Sequence, residues 1–281
     1  MSKIRTIDKI IKGKLSSDGA GVKLRRIFGF TEQGQFDPFL LLDFFGSDNP
    51  DDFIAGFPWH PHRGIETVTY MQEGKVEHGD SLGNKGVLGA GDIQWMTAGS
   101  GIIHQEMPKS AGKGMHGFQL WVNLPASHKM IPPRYQDINS KEVPEIIMPS
   151  GIKVKVLAGM FMGKTGPVKD IIADPVYLDI GLPPETEFSI EVKPEYTAFV
   201  LVYDGEANFD DSGKVVGRLE TALLENGSVV KAVTKNQNVK FLFISGKPLK
   251  EPIAWGGPIV MNTEEEIQTA FREYRDGSFV K

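Results

Sequence analysis

The chain has 281 residues, 40% hydrophobic and 24% charged, enough for a sizeable core and above the usual size of one domain. A formal net charge of -5 does not suit a general nucleic-acid binder, which carries a basic surface. The absence of cysteine excludes disulfide frameworks, zinc ribbons and iron–sulfur clusters.

Met1-Ser2-Lys3-Ile4-Arg5 has no apolar run behind its charges, so it does not read as a secretory signal. No apolar stretch is long enough to span a bilayer, and a cytoplasmic location is expected. Short runs rich in β-branched and aromatic residues then recur between glycine and proline punctuation: 67–70, 118–122, 153–157, 176–180, 197–202 and 241–244. Such spacing predicts a mostly β protein of the sandwich or barrel kind rather than a βαβ fold. Between 125 and 150 stand Pro125, Pro132, Pro133, Pro144 and Pro149. Proline cannot donate to a sheet ladder, so this stretch reads as a crossover between two halves of similar texture. Near the end, Thr263 and Glu266 fit a capping box, Ile267, Ala270, Phe271 and Tyr274 recur at helical spacing, and Gly277 supplies a stop. This helix is expected to cover a barrel flank.

The chemistry concentrates in two clusters, Phe57-Pro-Trp-His60-Pro-His62-Arg-Gly64 and Gly99-Ser-Gly-Ile-Ile-His104-Gln-Glu106. Side chains alternate across a strand, so His60 and His62 share a face, as do His104 and Glu106. Three imidazoles and a carboxylate inside a barrel would be costly without a cation to offset their desolvation, so the two pairs predict one metal ion with open coordination positions. Glu66 shares the parity of His60 and His62 on a continuous strand and competes with Glu106 for the last place. In the general cupin pattern the carboxylate ligand follows His-x-His closely, which favours Glu66. The later spacing departs from that pattern, with four residues between Gly99 and His104 and Thr97 where a proline is usual. His78 and His128 read as solvated loop residues, and His116 as a residue near the 118–122 strand with a structural role. Nucleophile-elbow, phosphate-loop and dinucleotide motifs are absent.

At these residues the sequence resembles the pirin family of the cupin superfamily. The resemblance is carried by residues 57–70 and 91–108, by Asp37-Pro-Phe-Leu-Leu-Leu-Asp43 and Leu120-Trp-Val-Asn-Leu124, and by residues 257–267. It implies a bicupin: an N-terminal metal-binding barrel (1–135) and a C-terminal barrel without metal (136–281) that ends in the helix. It also implies His60, His62, His104 and Glu106 as ligands of one divalent metal, usually iron, with Glu66 beside the pocket. Nitrogen and oxygen ligands equally accept manganese, nickel, cobalt, copper or zinc.

The activity implied is that of a quercetin 2,3-dioxygenase, which opens a flavonol ring with molecular oxygen. A carboxylate beside a metal-bound enolic oxygen can take its proton, so Glu106 is expected to serve also as base. Phe57, Trp59, Trp95, Glu66 and the more distant Phe44 are the expected substrate pocket. The competing expectation is a redox-sensitive module that docks a transcription factor or metabolic enzyme, with Lys23-Leu24-Arg25-Arg26 as part of the docking face. A monomer is expected in either case.

Overall fold

The computed structural model describes residues 3–109 and 114–281. The chain is built from antiparallel strands that gather into two units. One comprises residues 14–140 with 249–281, the other residues 1–13 with 141–248. Each unit holds a seven-stranded and a four-stranded sheet. In mid-chain the two units divide between residues 140 and 141. The two ends of the chain do not follow that linear division. Ile7–Lys12 pairs with Glu220–Leu224 in the later barrel, and the C-terminal helix belongs to the unit of the earlier one. An edge strand is satisfied by any chain segment that completes its ladder, whatever its sequence distance.

In the earlier barrel the seven-stranded sheet runs Arg134–Ile138, Ile93–Thr97, Ile65–Glu73, Met115–Asn123, Phe39–Ser47, Val22–Phe28 and Lys14–Asp18. The four-stranded sheet runs Phe57–His62, Ile102–Lys109, Lys75–Asp80 and Lys85–Leu88. Arg134–Ile138 lies inside the stretch read as a crossover. It pairs with Ile93–Thr97 directly after Pro132 and Pro133, where the missing amide donors do not interrupt the ladder.

The helix Glu264–Arg275 carries the expected capping box. Glu266 N donates to Thr263 Oγ1 at 3.2 Å, and Thr263 N donates to Glu266 Oε2 at 3.0 Å. Its Ile267 and Ala270 are buried with Ala254, Ile259, Met261 and Phe279. Among the described residues no helix is long and apolar enough to cross a membrane.

The two barrel interiors differ. The later one is packed with apolar side chains, among them Phe188, Phe209, Phe241, Phe243, Val200 and Val202. The earlier one is partly hollow and partly polar, with His60, His62, Thr69, Glu106 and Gln119 lining a cavity.

Candidate metal centre

The Phe57–His62 and Ile102–Lys109 strands are adjacent, with His60 opposite His104 and His62 opposite Ile102. The register then slips by one residue, so that Glu106 stands opposite Phe57 and Pro58 and Trp59 together face Gln105 in a bulge. Trp59 is 53% exposed as a result. One ring nitrogen from each of His60, His62 and His104 lies within 4.8 Å of the others.

His60 Nδ1 lies 2.8 Å from Pro58 O, and His62 Nδ1 lies 2.9 Å from Pro258 O. A carbonyl only accepts, so both rings carry a proton on Nδ1, which leaves Nε2 bare in the neutral form of each ring. Those two Nε2 atoms face each other at 3.1 Å. His104 Nε2 is buried without a hydrogen-bond partner. Burial, reinforced by the neighbouring His60, pushes the His62 imidazole down to about 3. Burial and then the neighbouring histidines push His104 down as well. Three imidazoles whose ring nitrogens converge are a donor set that fits a first-row divalent cation.

Glu106 projects into the same barrel but its carboxylate lies outside that 4.8 Å set. The Thr69 hydroxyl is 3.0 Å from Glu106 Oε1 and 2.8 Å from Gln119 Oε1. Burial raises the Glu106 carboxyl, opposed by His60 and by the Thr69 hydroxyl.

The cluster opens onto a cavity of about 740 Å³ lined by Phe57, Trp59, Glu106, Thr69, Gln119, Trp121, Trp255 and Pro258, among others. Phe57 and Trp59 line this cavity, as do His60 and His62. Glu66, Trp95 and Phe44 do not line it. Gly64, at φ 76°, turns the chain between the two strands and resets the alternation, so Thr69 faces the cavity and Glu66 the opposite face of its sheet. There Thr97 Oγ1 donates to Glu66 Oε1 at 2.7 Å, and Trp95 shares that face, paired opposite Val68. Phe44 stacks obliquely on Phe118 and lies near His116, also away from the cavity.

Further expectations need correcting. His78 is not a solvated loop residue: it is 2% exposed on the Lys75–Asp80 strand, opposite Glu106. The basic run 23–26 is not one face either. Leu24 and Arg26 point inward and line the cavity. Arg26 donates to both oxygens of buried Asp43, at 3.0 and 2.8 Å, and to Asp18 at 2.8 Å. Burial pushes Asp43 up to about 6, opposed by Arg26. Residues missed in the sequence are Thr69, Gln119, Trp121 and the 255–258 segment. Thr69, Trp121, Gly257 and Pro258 lie in the stretches that carry the family resemblance, but their place at the cavity follows only from the fold.

Two cupin-type barrels, one apolar and one bearing a three-histidine cluster that could bind a metal, define the class: a bicupin. The pirin family model matches residues 21–122, and the model of the pirin C-terminal cupin domain matches residues 177–280. The chain belongs to the pirin family. It is 44% identical over 284 residues to a Pseudomonas aeruginosa protein named "Putative quercetin 2,3-dioxygenase", covering 99% of each chain. It is 39% identical over 282 residues to human pirin, covering 98% of this chain and 94% of that one. A crystal structure of quercetin 2,3-dioxygenase from Acinetobacter baumannii superposes with a TM-score of 0.92 at 32% identity, with 99% of each chain covered.

Proposed function

We propose that the protein is a mononuclear metal-dependent dioxygenase that opens the ring of quercetin-like flavonols, with iron(II) as its metal. The observation that carries this reading is the converging histidine nitrogens at the base of an aromatic-walled cavity that also holds a buried carboxylate. His60, His62, His104 and Glu106 would hold the metal. Bound there, the cation would polarise an enolic oxygen and supply the redox chemistry of oxygen activation.

The chain's own groups do the rest. Phe57, Trp59, Trp121 and Trp255 offer flat apolar walls to a planar ring system. Gln119 and the Arg26–Asp43 pair offer polar contacts to ring hydroxyls. Glu106 takes the proton of the enolic hydroxyl, and its raised affinity for protons suits a base. Thr69 holds the carboxylate in place meanwhile. The similarity to the Acinetobacter quercetin 2,3-dioxygenase supports the substrate class.

The test is oxygen uptake with quercetin by iron-loaded protein. Wild type should consume oxygen and His104→Ala should not. Absence of turnover with iron, manganese, nickel and cobalt alike would refute the reading for this substrate.

A further inference from the structure

The three clustered histidines are not held alike. His60 and His62 each donate from Nδ1 to a backbone carbonyl, and that acceptor fixes the tautomer. His104 Nδ1 instead meets the Tyr135 hydroxyl at 3.3 Å. A hydroxyl can donate or accept. If Tyr135 donates, the His104 proton sits on Nε2 and that nitrogen cannot bind a cation. If Tyr135 accepts, Nε2 keeps its lone pair. The orientation of one phenol hydroxyl thus decides whether the third histidine can serve.

Tyr135 is itself braced. Its ring stacks on buried His78 with centroids 5.6 Å apart and an interplanar angle of 12°. His78 Nε2 lies 3.0 Å from Asp137 Oδ2, and Gln94 Nε2 donates to Asp137 Oδ1 at 3.0 Å. Tyr135 and Asp137 are two residues apart on the Arg134–Ile138 strand and so leave it on one side. His78 is across the ladder from Glu106, and its own strand pairs with that of His104. These residues form a polar backing to the ring of His104.

We propose that Tyr135 is a positioning residue of the metal site: by accepting from His104 Nδ1–H, it holds the Nε2 lone pair toward the cation, with His78 and Asp137 fixing its ring. This rests on the metal-site reading above. Ligand histidines are typically oriented through their second nitrogen, and losing such a partner typically weakens metal binding about 10–100-fold.

The test titrates cobalt(II) into metal-free protein and follows its visible absorption. Tyr135→Phe keeps the ring and its stacking and removes only the hydroxyl. It should bind cobalt(II) about 10-fold or more weakly, with a shifted absorption band and an unchanged melting temperature of the metal-free form. A general loss of structure would not move that band at saturating metal. Asp137→Asn, at a half-exposed position, should show a smaller weakening of the same sign, and it carries the test if Tyr135→Phe does not fold. Wild-type affinity and spectrum in both variants would overturn the role of Tyr135. Wild-type protein that binds no cobalt(II) would overturn the site reading, and the proposal with it.

Discussion

The Nε2 atoms of His60 and His62 face each other at 3.1 Å, while both rings spend their Nδ1 protons on backbone carbonyls. With both rings neutral, two bare lone pairs at that separation repel. The arrangement is a cost without a cation and a binding site with one. Metal should therefore raise the melting temperature, by the equivalent of about 2.7 kcal/mol at 100 times Kd. Differential scanning fluorimetry with and without nickel(II) checks this, and His62→Ala should abolish the shift.

Acid should destabilise the metal-free protein in a window set by the same rings. Burial holds His62 neutral down to about 3, whereas the unfolded chain takes up that proton near the ordinary value of 6.5. A depressed folded value contributes stability that is whole above the unfolded value and is lost as pH falls toward the folded one. The expected slope is about 1.4 kcal/mol per pH unit from this group, and His104 is displaced in the same direction. Urea denaturation across the acid range measures it, and His62→Phe should flatten the slope.

Thr69→Val should act on Glu106. The Thr69 hydroxyl lies 3.0 Å from Glu106 Oε1 and opposes the rise caused by burial. Removing it should shift the acid limb of the pH–rate profile for flavonol turnover to higher pH. A loss of roughly 1 kcal/mol, about fivefold in rate, is expected for one hydrogen bond. An unmoved acid limb would count against Glu106 as the base.

Gly64→Ala should cost stability. Gly64 sits at φ 76°, and a Cβ there would collide with Val260 O. The buried Lys129 ammonium donates to Gly64 O at 2.9 Å, Val260 O at 3.0 Å and Asn123 Oδ1 at 2.7 Å, tying this turn down. The strain should cost about 1–3 kcal/mol, read as a lower urea midpoint. Metal affinity should fall with it, because His62 is two residues before the turn.

The clustering of His60, His62 and His104 was legible because strand alternation is a local rule. The mostly β class was legible from strand spacing, and the helix from its capping box. Glu66 was misjudged because the same rule fails at Gly64, whose positive φ ends one strand and starts another. Trp95 and Phe44 were misplaced because both faces of their sheet are buried, so hydrophobicity does not tell inside from outside. Tyr135 was hidden in a proline-rich stretch that nevertheless contributes a strand. Pro258 and Trp255 reach the cavity from far along the chain, and only tertiary pairing brings them there.

By the proposed function, three histidines of the earlier barrel hold one metal ion. Elemental analysis of natively expressed protein tests it most directly. The account predicts about one first-row metal per chain, since the site offers one set of convergent donors, and none in the His62→Ala, His104→Ala double variant. A double variant that keeps its metal, or a wild type that binds none, would contradict it.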